Sequence, residues 1–128
     1  MRAIDTNVVI RYLIGDDPEQ AARARTTVDA GEVFVSTTVL LESEWVLRSV
    51  YGFLADEVAA ALRAFSGLPG VSVENPALLL EALDLTERGM DFADALHLGA
   101  AASCEVMLTF DRRFVETASN AAIQVTEP

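Results

Sequence analysis

Met1-Arg2-Ala3-Ile4-Asp5-Thr6-Asn7-Val8-Val9-Ile10-Arg11-Tyr12-Leu13 changes its period in the middle. Met1 to Asp5 reads as a short strand, and Val8, Val9, Tyr12 and Leu13 then recur at helical spacing. A strand therefore runs out at an aspartate, and a helix begins on the next residue. The rest of the chain repeats this alternation. Asp17-Pro18-Glu19 sets proline at a favoured first helical position behind an acidic cap, and Gly31 ends the helix it opens. Val33 to Ser36 is a second strand. Ser36, Thr37 and Thr38 cap a helix running to about Tyr51, and Ala55 to Phe65 forms another. Gly67-Leu68-Pro69-Gly70 breaks the chain before a short strand at Val71 to Val73. Helices are expected from Pro76 to Arg88, where Gly89 stops them, and from about Phe92 to Ser103. Strands follow at Val106 to Phe110 and Ile123 to Val125. Short strands alternating with helices predict an α/β fold whose central sheet is mainly parallel, with helices on both faces. Ligands of such sheets sit beyond the carboxyl ends of the strands, where Asp5 and Asp111 stand.

The chain has 128 residues and a formal charge of -11, from 20 carboxylates against nine arginines and no lysine. One domain over residues 1–128 is expected, because at this length a fold buries roughly two-thirds of the surface of its unfolded chain. A 52% hydrophobic composition supplies that core without disulfides or metal, and argues against disorder. The lone Cys104 excludes an intrachain disulfide, and the start lacks the regions of a signal peptide, so a cytoplasmic location is expected. No run approaches the roughly 18 apolar residues that cross a bilayer. The negative charge disfavours anionic membranes and counts against nucleic acid, since phosphate affinity comes from basic side chains. Carboxylates gathered around divalent ions would soften that objection: two bound Mg2+ would bring -11 to -7.

Each acid has an ordinary structural explanation. Asp5 can cap the helix that follows it, and Asp91 with Asp94 resembles a capping box. A helix start also favours the ionised form of Asp94, which keeps it available as a metal ligand. Asp111 can be a turn or cap residue paired with Arg112 or Arg113. Glu42 and Glu44 flank an apolar stripe of Val39, Leu40, Val46, Leu47 and Val50, and periodicity does not choose between them. Glu44 has Arg48 four residues on, a stabilising surface pair, whereas Glu42 has no charged partner at helical spacing. Two acids after strand ends and two in neighbouring helices form a constellation. Crowded carboxylates raise one another's pKa and are relieved by a hard cation, with Mg2+ or Mn2+ suited to oxygen ligands. Zinc would need more than the single His97 and Cys104, and His97 reads as a packed or solvent-edge residue. No glycine-rich phosphate loop is present.

Four segments occur in a familiar order: Ala3-Ile4-Asp5-Thr6-Asn7-Val8-Val9, Ser36 to Leu47, Asp91-Phe92-Ala93-Asp94-Ala95-Leu96-His97 and Leu108-Thr109-Phe110-Asp111. The chain resembles PIN-domain ribonucleases over essentially its whole length, and more narrowly the VapC toxins of toxin-antitoxin pairs. The resemblance implies a three-layer fold with an acidic pocket at the strand ends. In that pocket Asp5, Glu42, Asp94 and Asp111 would be both catalytic and metal-binding, and would hold Mg2+ or Mn2+. It selects Glu42 over Glu44, leaves Asp91 as a cap, and sets Asn7 and Thr109 at the pocket's polar edge. It further implies an RNA substrate, a homodimer, and a cognate antitoxin that inhibits the enzyme from the acidic pocket. RNA docking would fall to arginines such as Arg2, Arg11, Arg112 and Arg113. The helices Val39 to Tyr51 and Ala55 to Phe65 carry more apolar positions than one small sheet covers, and part of that surface is assigned to antitoxin or dimer contact. Two other readings compete: a non-catalytic module keeping the fold, and a phosphoacceptor receiver domain. The second needs a lysine at the end of its last strand, and the chain has none.

Overall fold

A computed structural model describes residues 1–128. The elements run β1 (Arg2–Ala3), α1 (Thr6–Leu13), α2 (Pro18–Asp29), β2 (Val33–Val35), α3 (Thr37–Ser49), α4 (Ala55–Ser66) and β3 (Val71–Val73). They continue with α5 (Pro76–Glu87), α6 (Phe92–Ala100), β4 (Val106–Leu108), α7 (Arg112–Thr117) and β5 (Gln124–Thr126). Contacts divide them into two units, Met1–Pro76 and Ala77–Pro128.

In the first unit β1, β2 and β3 form one parallel ladder in that order, with Arg2 opposite Val33 and Val33 opposite Val71. Both crossovers step the same way across the ladder, so crossovers of one hand carry their helices to the same face. The packing of α1 on both α2 and α3, and of α3 on α4, agrees with this arrangement. Val9, Val33, Val35, Leu40, Leu62 and Phe65 are at most 1% exposed. Each such side chain contributes about 1.5–3 kcal/mol by leaving water. Tyr12 meets Phe65 edge to face, with ring centres 5.4 Å apart. The turn into β2 needs bare backbone. Gly31 adopts a φ of 82°, and a Cβ on Gly70 would stand 2.5 Å from the Cα of Gly31. Gly70 also accepts the backbone N–H of Val33 at 2.9 Å, which sets the register of β2 on β3.

In the second unit β4 and β5 pair in parallel, Val106 opposite Gln124. Leu79, Leu83, Phe92, Ala95, Leu96 and Phe114 are among its buried apolar side chains. Every strand pairing is thus parallel, within two hydrogen-bonded ladders of three and two strands.

Most helix starts obey the capping residues in the sequence. Asp17 accepts from the N–H of Gln20 at 3.1 Å, Ser36 from that of Val39 at 3.2 Å, and Asp91 from that of Asp94 at 3.2 Å. Four points differ from the sequence reading. The stripe that α3 buries is Leu40, Ser43, Glu44 and Leu47, spaced at three, four and seven residues, while Val39 and Val46 are half-buried and Val50 is exposed. A search for apolar periodicity passes over that face because two of its four members are polar. Residues 101–103 are turns rather than the end of α6, and β4 stops at Leu108, ahead of an exposed Phe110. The segment after Asp111 is a short helix, α7, which six residues with one buried apolar side chain, Phe114, do not announce by period. No helix is long and apolar enough to cross a membrane.

Candidate active site

Asp5 lies two residues past β1 and caps α1. Its side chain accepts the N–H of Asn7 at 3.1 Å and that of Val8 at 3.4 Å, both on Oδ1. The cap role and a ligand role are therefore compatible, since Oδ2 stays outside the cap. Asp111 repeats the arrangement past β4. Its Oδ1 accepts from Arg113 at 2.9 Å and Phe114 at 3.3 Å, and its own N–H donates to Thr109 Oγ1 at 3.0 Å. The expected pairing of Asp111 with an arginine side chain is replaced by these backbone bonds.

On α3 the two glutamates point to different fates. Glu44 is 2% exposed, and both of its oxygens are taken by Arg48: Nε reaches Oε2 and Nη2 reaches Oε1 at 3.0 Å. The pair is therefore not the surface pair that its i,i+4 spacing suggests. Helical spacing says which residues meet, whereas burial depends on what packs over them. Glu42 is exposed and accepts the hydroxyl of Thr6 on Oε1, a bond linking α1 to α3. Thr6 is 8% exposed and sits beside Asp5; sequence reasoning passed it over, although its position next to the strand-end aspartate was the available signal. Ser43, buried between the two glutamates in sequence, has a hydroxyl with no partner.

Asp94 occupies the first turn of α6, half-buried, and no side chain pairs with its carboxylate. Burial lifts its pKa above the ordinary aspartate range, and the negative charges of Asp91 and Asp111 push the same way, against a weaker opposing effect of His97. The second unit thus brings Asp94 into electrostatic contact with Asp91 and Asp111. His97 itself is exposed, the solvent-edge alternative of its sequence reading. The first unit links Asp5 and Glu42 through neighbouring Thr6. No group of three or more His, Cys, Asp or Glu side chains stands close enough to hold a metal ion, so the expected acidic metal pocket is not assembled as such. The chemistry of the donor set nonetheless fits a hard divalent cation: all four are carboxylates, and none is paired with an arginine.

The arginines expected to meet RNA divide into two kinds. Arg2 is tied by Nη2 to the carbonyls of Thr27 and Gly31, and Arg11 is held by Gln20, Asp16 and Tyr51. Arg112 and Arg113 are exposed in the first turn of α7.

Parallel strands joined by helical crossovers, with carboxylates that have no ionic partner just past two strand ends, define an α/β protein of the kind that uses acids at its strand termini. The model of one family, the PIN domain, matches residues 3–120, and the chain belongs to that family. PIN domains are generally metal-dependent nucleases that typically bind RNA and usually use divalent metal ions. No curated protein gives a match to the chain.

Proposed function

We propose that the chain is a metal-dependent endoribonuclease of the VapC type, the toxin of a cytoplasmic toxin-antitoxin pair. Asp5, Glu42, Asp94 and Asp111 would hold Mg2+ or Mn2+. The observation that carries this reading is the state of their carboxylates. Each keeps at least one oxygen without a partner, while Glu44, the nearest alternative, has both oxygens occupied by Arg48. When bound, the cation would lower the pKa of a water and neutralise charge developing on the scissile phosphate. The chain's own residues do the remaining work. Backbone N–H groups fix Oδ1 of Asp5 and of Asp111, the Thr6 hydroxyl orients Glu42, and the half-buried Asp94 completes the set.

The deep negative charge supports an inhibitor bearing a basic side chain, drawn to the acids by electrostatic steering. Trp45, Val50 and Leu54, on α3 and the link to α4, are 55%, 66% and 70% exposed, which supports antitoxin or homodimer contact on that surface. Cleavage of an end-labelled structured RNA across a Mg2+ and Mn2+ titration tests the reading, with Asp94→Asn in parallel. The expected result is cleavage by the wild type that EDTA and the substitution abolish. Equal cleavage by the Asp94→Asn protein would overturn the assignment of the site, and no cleavage of any RNA by either protein would favour a non-catalytic module.

A further inference from the structure

We infer that the groove between α1 and α2 is a subsite for the RNA backbone, in which Arg11 and Arg23 take phosphate groups of the strand beside Asp5. The inference rests on the ribonuclease reading and adds where the substrate lies in the first unit.

A cavity of about 300 Å3 opens between the two helices, and its polar lining is Asn7, Arg11, Gln20, Arg23 and Thr27, with no carboxylate among them. In a chain of charge -11 that is an unusual composition. A second cavity, in the other unit, is lined by Glu81 and Asp84 as well as Arg88, and a third, in the first unit, by Glu57 and apolar side chains. The groove begins at Asn7, whose backbone N–H binds Asp5, and reaches Arg11 one helical turn further on, about 6 Å away.

Its two cations differ in a useful way. Arg11 is fixed: Nε donates to Gln20 Oε1 at 2.8 Å, and Nη1 donates to Asp16 Oδ1 and Tyr51 Oη, each at 3.2 Å. Nη2 is left for another acceptor, and Gln20, whose oxygen faces Arg11, keeps its amide N–H groups to donate. Asp16 offsets part of the charge but lies outside the lining. Arg23 is less constrained. Its only carboxylate partner is Glu19 at 4.0 Å, with the two side chains 77% and 84% exposed, a pair that water screens to little. One preorganised guanidinium and one adaptable one, flanked by amide donors, suit an oxyanion that accepts several hydrogen bonds, and a phosphodiester is such a ligand.

Arg23→Gln tests the subsite, because Arg23 is exposed and its loss leaves the core intact. Arg25→Gln is the control: it removes the same charge from α2 at an exposed position outside the cavity. Wild type and both variants are compared in steady-state cleavage, and in RNA binding over a salt titration on an Asp94→Asn background. Arg23→Gln is expected to raise KM about 5-fold at 0.1 M salt with kcat little changed, and to lower the salt slope of binding by about 0.7, the value of one phosphate contact on a single strand. Arg25→Gln is expected to leave the slope unchanged. Because Arg11 is tied into the fold, Arg11→Lys serves as the second variant: it keeps the charge, loses the fork, and is expected to raise KM as well. Cleavage that depends on metal in the wild type, with KM and slope unmoved by Arg23→Gln and Arg11→Lys, would overturn the subsite while leaving the nuclease standing. Equal effects of Arg23→Gln and Arg25→Gln would also overturn it, in favour of general charge. Absence of RNA cleavage and binding by every protein would overturn both readings.

Discussion

Helix α3 and the first turn of α6 each present two carboxylates, Glu42 with Glu44 and Asp91 with Asp94, and they dispose of them differently. On α3 an arginine one turn away resolves the more deeply buried acid into a bidentate ion pair and leaves the exposed one free. The α6 segment Phe92–Ala100 contains no arginine, so Asp91 is spent as a cap and Asp94 is half-buried with its pKa raised. Burial with a counter-ion therefore makes a structural element of a carboxylate. Burial without one leaves charge to be compensated from outside, and the sequence composition shows the same bias on a larger scale. Residues 1–76 carry six arginines against eleven carboxylates, and residues 77–128 three against nine.

The contrast on α3 can be broken from either side, with the largest effects expected there. Glu42→Gln should lower cleavage at least about 100-fold, with the urea midpoint unchanged, since the amide oxygen still accepts from Thr6. Arg48→Ala should do the reverse, costing about 3 kcal/mol in urea unfolding because Glu44 is left buried and uncompensated, with a much smaller change in activity per folded molecule. A large loss of activity and no loss of stability in Arg48→Ala would reverse the roles given to the two glutamates. A finer probe is Thr6→Val, which keeps the buried volume and removes the hydroxyl that positions Glu42. It should raise the Mn2+ concentration needed for half-maximal cleavage about 10-fold, while Thr6→Ser restores the wild-type value. A Thr6→Val enzyme with an unaltered metal titration would make that hydroxyl merely structural.

The smallest effect is on stability, through the titration of Asp94. Its raised pKa means that, just above the ordinary aspartate range, the folded protein retains a proton that the unfolded chain has released. In EDTA, stability should therefore fall as pH rises through that window, and Asp94→Asn should flatten this part of the profile. A parallel profile for the two proteins would remove the electrostatic distinction between α6 and α3.

Much of this arrangement was legible in the sequence because local chemistry wrote it there. Asp5, Asp17, Ser36 and Asp91 each announce a helix start and each accepts a backbone N–H at that start. The strands at Val33, Val71 and Val106 follow from apolar runs bounded by breakers, and the parallel pairing follows from the helices between them. What escaped was nonlocal. The i,i+4 spacing of Glu44 and Arg48 identifies the pair but not its burial, which depends on the elements that cover α3. The Thr6 to Glu42 bond joins residues 36 apart in sequence, beyond the reach of any helical or strand period. Asp111 takes the cap role open to it in the sequence but not the arginine partner, and the helix it caps is too short to show a period.

The ladder of the first unit also sets a schedule. Its register joins Arg2 to Val33 and Val33 to Val71, partners 31 and 38 residues apart, through strands of only two or three residues. So few ladder bonds do not offset the closure entropy of such loops until the intervening helices have already packed. During synthesis α1 to α4 would form first, and the strand order would close only once Val71–Val73 had left the ribosome. The close approach of Gly31 and Gly70, which seats β2 on β3, forms only with that closure.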